Sequence, residues 1–374
     1  MTKNTSTLVL AIVATAILGA IFYLETKKGS ANLDLADADV AVVLNDNQRI
    51  AKKSEQYDTA KEIIAPAGFI NTNGEAVNLQ DLIGQKVILV DFWTYSCINC
   101  QRTTPYLTSW YEKYRDQGLE IVGVHTPEFE FEKKLENVQA AVDQWGIKYP
   151  VVLDNDYGTW RNYKNRYWPR KYLIDIDGFI VYDHIGEGAY EETEKKIQEL
   201  LKERMEVLQM AGEISSDIVA PENVEAVDSA IRRSPETYFG ALRNINFGNG
   251  ATGRTGVQTL TLPETILKDT LYLSGQWDIQ GEYAKNLAAG ATIVFKFEAQ
   301  KVFMVARADQ EVTLEILIDG QPVKIPGSDV INGQAVIQQD RLYRLVEDSF
   351  GSGAHTLEII VTQPGLEVFT FTFG

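Results

Sequence analysis

The chain has 374 residues, 45% of them hydrophobic, and a formal net charge of −17. Its length implies about two domains rather than one small core, and the acidic balance excludes a nucleic-acid partner, which needs clustered lysine and arginine to meet phosphate. With only two cysteines, Cys97 and Cys100, a structural disulfide framework is excluded; the pair reads as half a zinc site in a reducing compartment or as a redox couple in an oxidising one.

Taken in chain order, residues 1–28 form the first unit. Leu8 to Leu24, LVLAIVATAILGAIFYL, carries no charge and as a helix approaches the thickness of a bilayer core. Two readings stand for it, a membrane anchor or a cleavable signal peptide. Lys3 ahead of the apolar run suits both, whereas the distance to the small-residue site at Ala36 and Ala38 favours the anchor. Residues 29–60 are polar and read as a tether holding the rest of the chain off the membrane.

From 61 to 212 strands and helices alternate. Lys86 to Phe92 and Leu119 to His125 are apolar runs of the kind found in buried central strands. Leu107, Trp110, Tyr111 and Tyr114 recur at helical spacing before Gly118, and Phe131, Leu135, Val138, Val142 and Trp145 do so before Gly146. Val151 to Leu153, Lys171 to Ile176 and Phe179 to His184 read as strands, the last two joined by an Asp177-Gly178 turn. A closing helix carries Ile197, Leu200, Leu201, Met205 and Leu208 on one face. This order predicts an α/β domain with helices on both faces of a central mixed sheet. After a linker, 213–234, residues 235–374 change to short alternating runs between turn residues, which predicts an all-β sandwich or jelly roll. In its last run Phe369, Phe371 and Phe373 are expected to share a face.

Cys97 follows a buried strand at the predicted start of a helix, where unpaired N–H groups and the helix dipole favour a thiolate and make this sulfur the nucleophile. Cys100, one turn later, can resolve a mixed disulfide without metal or cofactor beyond the Cys97-Cys100 disulfide itself. Asp91, in an otherwise apolar strand, is placed to take the proton from Cys100. Trp93 would shield the site, and Pro105, inside the helix, would kink it.

The string VDFWTYSCINCQRTTP resembles the thioredoxin superfamily at each of these spacings. Trp168-Pro169 stands where that superfamily has a cis-proline loop facing the disulfide, which implies that the Trp168 backbone meets an incoming substrate chain. More closely, VDFWTYSCINCQR, GVHTPEF, SPETYFG, RLYRLV and the terminal FTFG resemble the extracytoplasmic half of the DipZ-like family, a TlpA-like thioredoxin domain followed by a β-sandwich akin to carbohydrate-binding modules. The resemblance implies a thiol-disulfide oxidoreductase, in the first instance a reductase, acting on protein disulfides outside the cytoplasm. The multi-span electron-conducting part of that family is replaced by one hydrophobic segment, so electrons would come from a separate CcdA-like membrane protein. An oxidase or isomerase direction is the alternative within the class.

Glu128 and His125, in the HTPEF stretch, and Arg170, in the basic group Arg161, Lys164, Arg166, Arg170 and Lys171 around Pro169, are further candidates for a supporting shell. HTPEF alone is a weak signal for a peroxidase. Trp277, Tyr283, Tyr272 and Tyr343 could offer a sugar-stacking platform, although aromatics in a sandwich are more often core or edge packing. They carry the competing reading of a cell-surface protein that binds glycan or a partner and has a minor redox role.

Overall fold

The computed structural model describes residues 46–222, 224–225, 233–323, 329–347 and 353–374. The segment 8–24 lies outside them, and among the described residues no helix is long and apolar enough to cross a membrane.

The α/β domain is a six-stranded mixed sheet: β1 (Gly68–Ile70), β2 (Val87–Trp93), β3 (Leu119–His125), β4 (Val151–Leu153), β5 (Arg170–Ile174) and β6 (Ile180–Ile185), in the order β1-β4-β3-β2-β5-β6. Central β2 runs parallel to β3 and antiparallel to β5. All its residues are buried, because successive side chains enter two different layers. Ile88, Val90 and Phe92 pack with Leu79, Tyr163 and Tyr172 on one side. Val87, Leu89 and Trp93 join Cys100, Leu107 and Trp110 on the other. By that alternation Asp91 faces the helix that carries Cys100, the long helix Ile98–Tyr114. Lys171, its partner in the β2–β5 register, faces the same way.

Three departures from the sequence reading have local causes. The helix Asp46–Ser54 occupies part of the stretch read as tether. It is held by Arg49, which pairs with Asp177, and by Lys53, which reaches Asp175, Asp177 and Glu203. The helix expected from Phe131 is in fact a 3-10 turn at Glu130–Lys133 followed by the α-helix Leu135–Gln144; Phe131 is buried while Leu135 is 49% exposed. The closing helix Tyr190–Val207 buries Ile197, Leu200 and Leu201 but ends before Leu208, which is exposed.

The C-terminal domain is all-β. Most of its described strands follow a continuous hydrogen-bonded path that folds over at the strand Leu271–Ile279. Leu271 to Ser274 pair with the strand Ala291–Phe297, and the residues after them pair with Gly256–Leu260 and Ala284–Asn286. The change of partner falls at Gly275, whose φ of +87° and approach to Ala291 suit glycine. The expected two layers are thus halves of one folded sheet sharing the strand Leu271–Ile279.

The three phenylalanines of the last strand, Glu367–Phe373, do not share a face. Its pairing with the strand Lys301–Arg307 shifts between Val305, opposite Thr370, and Ala306, opposite Val368. Phe369 lies in that bulge and turns away from the core that receives Phe371 and Phe373. It packs instead on Phe129 and Phe131 of the α/β domain, with ring centroids 5.0 and 4.8 Å away. Glu225 accepts hydrogen bonds from Arg102, Lys301 and Arg344, each at 2.8 Å. Burial opposes ionisation of Glu225, yet these three cations hold its carboxyl down at about 2. Phe369→Ala is expected to cost about 3 kcal/mol by opening a cavity between the domains; a denaturant midpoint close to that of the unaltered protein would refute this packing role.

Candidate functional site

The loop from the end of β2 is fixed at both ends. Trp93 O accepts from Thr126 N–H at 3.0 Å, and Thr94 O accepts from Cys97 N–H at 3.3 Å. Cys97 is the N-cap of the Ile98–Tyr114 helix, with extended φ and ψ of −80° and 116°, and its Sγ accepts from Cys100 N–H at 3.4 Å. A sulfur in that position meets the free N–H groups and positive dipole end of the helix. It is half-buried, whereas Cys100 is only 1% exposed; both are free thiols. Burial, then the neighbouring Cys97 and Asp91, push the Cys100 thiol well up. Trp168 O lies 3.9 Å from Cys97 Sγ, and the Trp168-Pro169 peptide is cis.

Asp91 is buried, and its Oδ1 has no hydrogen-bond partner. Burial raises its carboxyl to about 7, with Lys171 pulling the other way. Lys171 is itself fully buried and donates to Gly186 O at 3.1 Å. Burial lowers the basicity of its ammonium, and Asp91 followed by Cys100 sustains it. The sequence reading left Lys171 as one of the basic group around Pro169, without a part of its own. The β2–β5 register turns it inward, making it the one member of that group that faces Asp91.

The other candidates separate. Trp93 is buried, edge-on to His125 at 4.9 Å. His125 is also buried, and burial alone lowers its basicity to about 3, so it stays neutral. Pro105 lies inside the long helix. Arg170 turns away to Asp183, 2.6 Å distant, and over the Tyr172 ring, so the structure does not bring it to Cys97; Arg166 does line the cleft there. Glu128 lines it too.

That cleft, of about 350 Å³, is shared between the two domains. Cys97, Glu128 and Trp168 form one side, and Tyr238, Arg243 and Thr370 the other. Sequence reasoning missed Lys171, Arg243, Tyr238 and the fully buried Glu132, because each acts through partners remote in sequence. Of the four aromatics proposed as a sugar platform, Trp277, Tyr272 and Tyr343 are buried in the C-terminal domain, and Trp277 Nε1 donates to Ser274 O at 2.8 Å. Only Tyr283 remains partly open, against Phe369 at 5.2 Å, so these four rings form no exposed platform. Asp175, Asp177 and Glu203 are the one group of three close carboxylates among the described residues, and the Lys53 ammonium already sits among them.

Residues 57–183 match the AhpC/TSA family and residues 234–374 the thioredoxin-like C-terminal domain family. Protein DipZ of Mycobacterium bovis is 36% identical over 327 residues, covering 87% of this chain and 44% of DipZ. This chain therefore spans less than half the length of that relative. The thiol-disulfide oxidoreductase ResA of Halalkalibacterium halodurans is 35% identical over 34% of this chain and 69% of its own. A thiol:disulfide interchange protein from Bacteroides sp., solved in solution, is 29% identical over 38% of this chain and 89% of its own, with a TM-score of 0.31.

Proposed function

We propose, for a chain that belongs to the thioredoxin-like thiol-disulfide oxidoreductase family of DipZ and ResA, that Cys97 and Cys100 reduce disulfides of extracytoplasmic proteins. The Cys97 thiolate attacks one sulfur of the substrate disulfide, forming a mixed disulfide and releasing the other sulfur as a thiolate. Cys100 gives its proton to ionised Asp91 and attacks Cys97 Sγ. The Cys97-Cys100 disulfide forms, the substrate leaves with both sulfurs reduced, and two electrons have passed to it. The observation that carries this reading is the half-buried Sγ of Cys97, which accepts from Cys100 N–H and lies 3.9 Å from the Trp168 carbonyl on one side of an open cleft. Trp168 and Pro169 frame the approach, while Trp93 and Pro105 shape the elements that hold the pair.

The pair must then be reduced again. A separate CcdA-like membrane protein is the donor proposed here, with residues 8–24 tethering the chain beside it. Residues 61–212 would carry the exchange and residues 235–374 the second domain. A reductase assignment predicts a midpoint potential nearer the roughly −270 mV of thioredoxin than the roughly −120 mV of a strong oxidant.

Trapping tests the chemistry. In a Cys100→Ala variant the mixed disulfide has no resolving thiol, so substrate proteins should remain bound to Cys97 until a reductant is added. Finding no reducible adduct on Cys97 after exposure to extracytoplasmic proteins would refute the proposal.

A further inference from the structure

Glu132 is wholly buried, yet the proposed exchange gives it no part. Its two oxygens serve different segments. One accepts from Ser96 Oγ–H at 2.6 Å and from Ser96 N–H at 3.3 Å. The other accepts from Glu128 N–H at 2.5 Å and Phe129 N–H at 2.9 Å. Ser96 immediately precedes Cys97. Glu128 in turn accepts, through Oε1, from Arg243 at 2.6 Å and from Tyr238 OH at 3.0 Å, both residues of the C-terminal domain. The Arg243 guanidinium lies 3.7 Å over the Tyr238 ring and 5.3 Å from the Phe129 ring.

We infer that the C-terminal domain is a working part of the active site, in which Arg243 is a positioning residue that acts through Glu128 and Glu132 to fix Ser96 and so the presentation of Cys97 to a substrate in the shared cleft. Burying a carboxyl is costly unless its lone pairs are satisfied, and here all four donors come from the two segments it joins. Those segments are the loop that delivers the nucleophile and the turn gripped by the second domain. Apolar docking of the domains is already supplied by Phe369 on Phe129 and Phe131. The polar chain is separate from it and opens on the cleft, where Glu128, Tyr238 and Arg243 all stand within reach of a bound substrate. Held networks of this kind fix geometry more than they add stability.

The inference rests on the exchange proposed at Cys97, and the test separates the two. Pre-reduced full-length protein is mixed with a short synthetic peptide carrying one disulfide, and the second-order rate constant is measured alongside the rate of Cys97 alkylation by iodoacetamide. Arg243→Ala should slow reaction with the peptide about tenfold or more while retaining cooperative unfolding. Arg243→Lys should recover part of the loss, and Glu132→Gln should slow both peptide reduction and alkylation. Should Glu132→Gln fail to fold, Arg243→Ala and Tyr238→Phe still decide. Rates for Arg243→Ala and Tyr238→Phe within about twofold of the unaltered protein would overturn the coupling alone. A wild-type protein inert to the peptide would overturn the exchange reaction and the coupling with it.

Discussion

Cys97→Ser is expected to lower disulfide reduction on the order of a thousandfold or more, since the hydroxyl that replaces the thiol is a far weaker nucleophile at neutral pH. The two sulfurs should differ sharply in chemistry although they are one helical turn apart. Cys97 is half-buried at the helix start, accepting the Cys100 N–H. Cys100 is 1% exposed, and burial, followed by Cys97 and Asp91, pushes its thiol well up. Iodoacetamide at neutral pH should therefore modify Cys97 and spare Cys100 in the reduced protein, as peptide mapping would read directly. Equal labelling of both cysteines would mean that the assignment of attacking and resolving sulfur is wrong.

Residues whose chemistry depends on local spacing were legible in the sequence. Cys97, Cys100 and Asp91 sit on one strand-loop-helix unit, so the period of β2 and the start of the next helix are enough to bring them together. Trp168-Pro169 was legible only through family resemblance, because a long stretch of chain separates it from Cys97. Lys171 was not singled out from the basic group around Pro169, because only the pairing of β5 with β2 reveals that it lies opposite Asp91. Glu132 falls in the stretch expected to be helical from Phe131, and that helix in fact starts later. Phe369 shows the limit of counting by twos: one bulge moves a side chain from one face of a sheet to the other, and here that supplies the contact between domains. Tyr238 lies in the SPETYFG string, which carried the family resemblance but no site role, and Arg243 lies outside every string that did. Their role emerges only when the second domain is packed over the Cys97 loop.

Asp91→Asn is expected to slow resolution of the mixed disulfide about a hundredfold, the lower range for loss of a positioned base. Burial holds the Asp91 carboxyl at about 7 against the pull of Lys171. Only the ionised form can accept the Cys100 proton, so the resolution rate should rise as pH increases through 7 and level off above it. The asparagine variant should lose that inflection. Lys171→Met, which removes the charge favouring ionised Asp91, should move the inflection to higher pH. Stability must follow the same proton. Asp91 titrates higher in the folded chain than its ordinary value of 3.8, so its contribution to stability is whole below 3.8 and is lost as pH rises through 7. The stability of Asp91→Asn relative to the unaltered protein should therefore increase between pH 4 and 8, by on the order of a few kcal/mol. Denaturant unfolding across that range reads the difference. A difference that does not change with pH would mean that Asp91 ionises as an ordinary carboxyl, leaving Cys100 without the neutral-pH proton acceptor that resolution requires.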